Sequence, residues 1–337
     1  ELRFSEAEAT AFLNDVMGLD LAPGDIRLLE LRTEGWIVGL QLAAIALRSL
    51  SEPQSASSMQ KHADAHAFIR TFSGSHRYVL EYLTEEVFYR QRKLLQRFLL
   101  QTAILERLCG PLCDTVLGND VPAPGSQSLL DELDRTNLFL VPLDEERKWR
   151  RYHHLFADLL GNLLRKGHAP DHIQELHRRA SAWYEEHGFP DDAVKHALQA
   201  QDFEQAAALI ERAARGSMLD GRLTTLLHWV DALPDASLRA RPRLRFYQAW
   251  ALHLGGKSET AEQILRDARQ DVQALPSSPD NLTLQGELAA LLTSIATLHE
   301  EPSIVIQEAQ EALTYLPEKD LVWRARVNVA LGTAYAY

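Results

Sequence analysis

A Leu-Pro pair returns at nearly constant distance in the last third of the sequence, at Leu233-Pro234, Leu275-Pro276 and Leu316-Pro317, 42 and 41 residues apart. Each closes an apolar helical pattern. The first interval holds patterns at 243–254 and 259–275 joined by Gly255-Gly256, and the second holds patterns at 283–299 and 303–316 joined by Glu300-Glu301-Pro302. A helix pair that recurs at this period cannot bury its apolar face alone, so stacking on its neighbours into an α-solenoid of tetratricopeptide-like pairs is expected. Before the repeats, helical patterns follow Gly167 at 171–188, where Gly188 supplies a C-cap, and at 191–201, 203–215 and 223–234.

The first half is different. Ser5 stands three residues before Glu8 and an apolar series, the capping-box signature of a helix start, and further helices are expected after Pro23 and from about Thr33, where 36–50 is almost wholly apolar. A Ser-rich stretch at 52–58 marks a boundary. Helical patterns resume at 65–90, 92–108 and 112–117, a loop dense in turn residues spans 118–125, and Ser126 is expected to cap the next helix. The segment 138–164 then reads as a strand (138–143), a charged turn (144–147), a return strand (148–152) and an amphipathic helix with Leu155, Phe156, Leu159, Leu160, Leu163 and Leu164 at helical spacing. Helices feeding a two-strand wing describe a winged helix. Its helix before the wing offers Asp131, Glu132 and Asp134 against Arg135, a composition unsuited to reading bases.

Composition narrows the function. The net charge is −12, so phosphate contacts by the bulk of the chain are not expected, and the dense basic cluster Arg147-Lys148-Trp149-Arg150-Arg151 reads as a solvated strand edge. No apolar run approaches the roughly 20 residues of a membrane helix, no signal-peptide order opens the chain, and a cytoplasmic location is the default. Cys109 and Cys113 read as small buried apolar residues. His253-Leu254-Gly255-Gly256-Lys257-Ser258 resembles the tail of a phosphate loop but lies between helices and reads as a turn. His62 and His66 read as a solvated pair, and Glu30 to Glu34 as a charged helix surface. No catalytic motif and no metal site emerges, so the chain itself is not expected to be an enzyme. His153, at the joint from strand to helix, is the exception: a helix start favours an anion, and a neutral imidazole donates one N–H.

The run RYHHLFADLL (151–160) resembles the winged-helix signature of the STAND signal-transduction ATPases. Together with TEGWIVGLQLAAIALRSL (33–50), FIRTFSGSHRYVLEYL (68–83), ILERLCGPLCD (104–114) and NLFLVPLDEERKWRRYHHLF (137–156), it is similar to MalT-like, large ATP-binding regulators of the LuxR class. That resemblance implies a helical domain at 1–58, a winged-helix domain at 59–166, a helical connector at 167–235 and the start of a repeat sensor domain at 236–337. It implies that His153 meets the phosphates of ADP and that Trp36 and Ile37 lie on the adenine side. Ile37 stands where proline is usual, and His154 where aspartate is usual. It further implies ATP or ADP bound by the full-length protein, though not necessarily by this segment. The implied partners are an upstream ATPase core, a small-molecule or protein inducer on the repeats, DNA through a separate C-terminal domain, and other copies on activation, with no membrane. The opening at Glu1 without Met and the stop inside a helical pattern at 334–337 read as a central fragment. The alternative is a nucleotide-independent helical-repeat scaffold.

Overall fold

The computed structural model describes residues 3–50, 58–72, 77–121, 125–136 and 139–336. The chain forms two compact units, Glu1–Ala180 and Ser181–Tyr337. Both are helical, and the one sheet among the described residues is a two-stranded antiparallel hairpin.

In the first unit, α1 (Glu6–Thr10) opens on the foreseen capping box: the Ser5 hydroxyl accepts the Glu8 N–H while the Glu8 carboxylate accepts the Ser5 N–H at 2.9 Å. The helix then widens into π-type turns at Ala11–Val16. Helix α2 (Pro23–Thr33) stops where Glu34 and Gly35 both turn left-handed, at φ 50° and 69°. With α3 (Ile37–Leu50) and α4 (Ser58–Thr71) it forms a small bundle around Leu13, Ile26, Leu29, Leu40, Ala43 and Ile69, all buried. Of the expected 52–58 boundary, 52–57 lie outside the described residues. The chain continues through α5 (Arg77–Tyr82), π-type turns at Leu83–Phe88, α6 (Lys93–Thr102), α7 (Gly110–Leu117), a 3-10 turn at Gly118–Asp120 and α8 (Ser126–Arg135). Ser126 does not cap α8. Gly125 occupies the cap, and the Ser126 N–H donates to the Asp114 carboxylate at 2.9 Å, so a neighbouring helix supplies the acceptor.

Then come β1 (Leu140–Pro142), β2 (Arg150–Tyr152), α9 (His154–Gly167) and α10 (Pro170–Glu186). Register pairs Leu140 with Tyr152 and Pro142 with Arg150, and Leu108 bridges to Arg150 on the other edge of β2. Residue 138 of the expected first strand lies outside the described residues, and within them both strands are shorter than expected, for local reasons. Phe139 sits at φ 56°, which breaks the extended run, and at the tip the Asp144 carboxylate accepts the N–H groups of Lys148 and Trp149 at 2.8 and 2.9 Å. Leu155, Phe156, Leu159 and Leu160 of α9 are fully buried; α9 packs on α6, whose Phe98 and Leu99 lie in the same unit's core.

The boundary between the units falls inside α10, at Ala180 and Ser181. The second unit holds α11 (Pro190–Gln199), α12 (Phe203–Leu219), α13 (Leu223–Asp231), α14 (Asp235–Arg239), α15 (Pro242–Leu254), α16 (Ser258–Gln273), α17 (Pro279–Leu298), α18 (Pro302–Tyr315) and α19 (Leu321–Ala334). The two foreseen pairs are α15 with α16 and α17 with α18, and these make the most extensive helix contacts of the chain. Each Leu-Pro follows a helix end. Helix α14 was not foreseen, since five residues are too few to show a period. Gly188, at φ 77°, follows α10 as expected, and Gly255-Gly256 is a turn in which Gly255 caps α15. Arg243 to Glu287 (2.8 Å) and Arg245 to Asp271 (3.1 Å) tie neighbouring helices, and Trp250 meets Trp323 with ring centroids 5.1 Å apart. No described helix is long and apolar enough to cross a membrane.

Candidate functional site

Everything singled out around His153 converges on one place in the first unit, where the strand-to-helix joint of the wing meets the C-terminus of α2. The His153 N–H closes the hairpin by donating to the Phe139 carbonyl at 2.7 Å. Its ring is the N-cap of α9: Nδ1 accepts the Leu155 N–H at 3.3 Å, and Nε2 lies 2.9 Å from the Thr33 carbonyl. Because Nδ1 accepts, Nε2 carries the hydrogen and donates it to Thr33. The residue is only 4% exposed, and burial lowers its pKa to about 4 against a partial counter-effect of Glu34, so the ring is neutral at pH 7.

His154, stacked on His153 at 4.8 Å, turns outward. Its Nδ1 is 2.7 Å from Glu34 Oε1, and its Nε2 meets the Arg32 carbonyl. The same Glu34 oxygen accepts from Arg151 Nη1 at 2.8 Å. Burial would raise the Glu34 carboxyl, but the hydrogen bonds from His154 and Arg151 outweigh it and hold the group well below the usual carboxylate range. Trp36 is half-buried beside them, its ring 5.0 Å from Phe139 and 6.1 Å from His153. Ile37 begins α3 and is half-buried. The structure thus brings His153 and Trp36 into ring contact, with Ile37 next in the chain. Behind Trp36, the Gly35 carbonyl accepts the Phe4 N–H at 2.8 Å, and a Cβ on Gly35 would run into the Phe4 carbonyl oxygen. With φ at 69° as well, Gly35→Ala costs about 1–3 kcal/mol of first-unit stability, read from chemical denaturation.

Glu34, His153 and His154 offer ligand-type atoms within 4.8 Å of one another. They do not fit a metal ion. Nε2 of His153 bears a hydrogen rather than a free lone pair, and the Arg151 guanidinium already holds the Glu34 oxygen. An open groove of about 450 Å³ adjoins the cluster, lined among others by Ile104, Arg151, His154, Asp158, Gly161 and Arg165.

Three sequence readings are corrected. Glu34 is no solvated surface residue; its side chain is 14% exposed and anchors two cations. The signal available was the Glu34-Gly35 pair, which ends a helix and leaves its last carbonyls to be satisfied by other groups. The basic cluster is a solvated edge only in part: Arg147 and Lys148 at the tip are exposed, whereas Arg150 is not. Arg150 is 5% exposed and pairs with Asp131 at 2.9 Å, Arg147 pairs with Asp134 at 3.1 Å, and Arg92 pairs with Glu132, so the acidic face of α8 is neutralised within the unit. His66 is not simply solvated: its Nδ1 lies 2.5 Å from the buried Asp25. Cys113 is buried and Cys109 half-buried, and burial raises both thiols.

The wing, the joint and the helices on either side have a counterpart. Residues 84–172 match the MalT winged helix domain. Within the matched residues, α8 is the helix before the wing and β1–β2 the wing itself. The chain is also similar to the serine/threonine-protein kinase PknK of two Mycobacterium tuberculosis strains, CDC 1551 / Oshkosh and ATCC 25618 / H37Rv, and of Mycobacterium bovis. Each is 36% identical over 250 residues, which cover 74% of this chain and 21% of the relative. The match thus spans about a fifth of the length of these relatives.

Proposed function

We propose that this chain is the regulatory part of a MalT-like, ATP-dependent transcriptional activator of the LuxR class, in which the winged helix holds an ADP-bound inactive state and the helical repeats sense an inducer or a partner. The observation that carries this reading is the MalT winged helix domain with its strand-to-helix joint fastened to a helical bundle through His153, His154 and Arg151. In the full-length protein, a slow signal-transduction ATPase, an upstream core binds ATP or ADP. His153 serves the ADP phosphates, Trp36 and Ile37 lie on the adenine side, and a C-terminal domain binds DNA. The protein works in the cytoplasm and self-associates on activation. This segment performs no catalysis of its own.

The structure adds a condition to that mechanism. The single N–H of the neutral His153 ring is already given to the Thr33 carbonyl, so a phosphate must take the proton from that acceptor. Nucleotide and α2 then compete for one donor. A contact of this kind to a charged group is worth roughly 1.5–3 kcal/mol, enough to bias an equilibrium between two poses. In the full-length protein, His153→Ala weakens ADP retention and raises basal transcription. Unchanged nucleotide affinity together with unchanged basal activity refutes the role.

A second reading is favoured by the same ring: both of its nitrogens have partners inside the unit. On that reading the joint is structural and the segment is a nucleotide-independent scaffold, and its output is not restricted to transcription, since the PknK relatives are named as protein kinases. Nucleotide binding by the full-length protein, measured by calorimetry, separates the two.

A further inference from the structure

The two histidines at the joint are adjacent in sequence and opposite in their requirements. His153 faces one donor, the Leu155 N–H, and one acceptor, the Thr33 carbonyl, and a single neutral tautomer satisfies both. His154 faces two acceptors. Nδ1 points at the Glu34 carboxylate at 2.7 Å and Nε2 at the Arg32 carbonyl. A neutral imidazole has one N–H and leaves one of these contacts unmade, whereas the imidazolium donates to both. The place suits a cation, because the carbonyls of Arg32 and Thr33 are among the last of α2 and carry the negative end of its dipole.

From this geometry we infer that His154 is a proton-operated latch: doubly protonated, it fastens the winged helix to the helical bundle, and on losing a proton it loosens the joint.

The charges around the ring come from every element packed on it. Glu34 at the end of α2 favours the imidazolium. Arg151 on β2, bound to the same Glu34 oxygen, disfavours a further positive charge, while the stacked His153 ring is neutral. The Arg32 guanidinium does not compete, because it donates to the carbonyls of Phe72 and Arg70. Glu106, Asp158 and Arg165 rim the adjoining groove. The His154 side chain is 39% exposed, so solvent protons reach it, while His153 behind it is buried. The backbone is held away from its easy conformations at the same spot: Glu34 at φ 50° and Phe139 at φ 56° are non-glycine residues in the left-handed region. Such strain persists where surrounding contacts enforce it, and an element that relaxes when one contact is lost has two states to choose between. The latch therefore tightens when acid supplies the second ring proton and loosens when that proton is removed.

The inference does not depend on nucleotide and is tested on the whole chain without it. Amide exchange is followed for peptides covering residues 32–37 and 151–157 between about pH 5.5 and about pH 8.5, corrected for intrinsic exchange, in the wild type, His154→Gln and Glu34→Gln. At the acidic end the wild type is protected about tenfold more than His154→Gln, and the advantage disappears at the alkaline end. Glu34→Gln loses the pH-dependent part as well. Nitrogen-15 spectra of histidine-labelled wild type give an independent readout that no folding failure of a variant can remove: both ring nitrogens of His154 carry protons at about pH 5.5 and only one at about pH 8.5. A protection difference that stays constant with pH, or a His154 ring with a single proton at the acidic end, overturns the latch.

Discussion

Phe156→Ala lowers the stability of the first unit by about 3–5 kcal/mol. Phe156 is fully buried on α9, stacked on Phe139 with centroids 5.1 Å apart and edge-on to Tyr152 at 6.0 Å. Its removal leaves a void that this close-packed site cannot refill, because Phe139 is fixed by its left-handed backbone and the Tyr152 hydroxyl is tied to Thr102 at 2.7 Å. The loss also reaches the joint: His153 lies within 6.0 Å of Phe139, so amide protection around 151–157 falls with global stability. Denaturant titration, with exchange of peptides from 151–160 as the local probe, measures both. The control is Leu143→Ala at the wing tip, where the side chain is 48% exposed and the change stays within about 0.5 kcal/mol. Equal effects of the two substitutions would mean that α9 is not the core element of this winged helix.

The helical repeats and the wing were legible because their signals are periodic or local. Leu-Pro pairs, the Ser5 and Glu8 box, and Gly188 and Gly255-Gly256 each act through the backbone of their own neighbourhood, and the structure places them as expected. The site was only half legible. His153 was visible from its position at a strand-to-helix joint. Glu34 was not, because what makes it matter is a contact across more than a hundred residues of sequence, to Arg151 and His154, which no local pattern encodes. Arg150 shows the same limit. In sequence it belongs to a basic run that invites a solvated or phosphate-binding reading, and only the fold brings the acidic face of α8 against it. Charge patterning along a chain reports composition, while the partner of each charge is decided by tertiary packing.

Acidification from about pH 6.5 to about pH 4 takes up to about 3 kcal/mol from the first unit through His153 alone. The His153 ring is kept neutral by burial, with its pKa lowered to about 4, while in the unfolded chain it titrates near the ordinary 6.5. Above pH 6.5 the ring is neutral in both states and contributes no slope. Below it the unfolded chain takes up a proton that the folded ring refuses, so stability falls by about 1.4 kcal/mol per pH unit until the folded ring also protonates near pH 4. Protonation there costs the Leu155 N–H its acceptor and uncaps α9. Glu34 adds a loss of the same sign only at the acid end of this window, where the unfolded carboxyl begins to protonate while the folded one, held by His154 and Arg151, stays ionised. His153→Gln removes this contribution: stability measured by denaturation at about pH 7, 6 and 5 falls less steeply on acidification in the variant than in the wild type. Parallel slopes would mean that the buried ring carries its proton in the folded state, and the neutral donor assigned here to Thr33, and through it to a nucleotide phosphate, would be withdrawn.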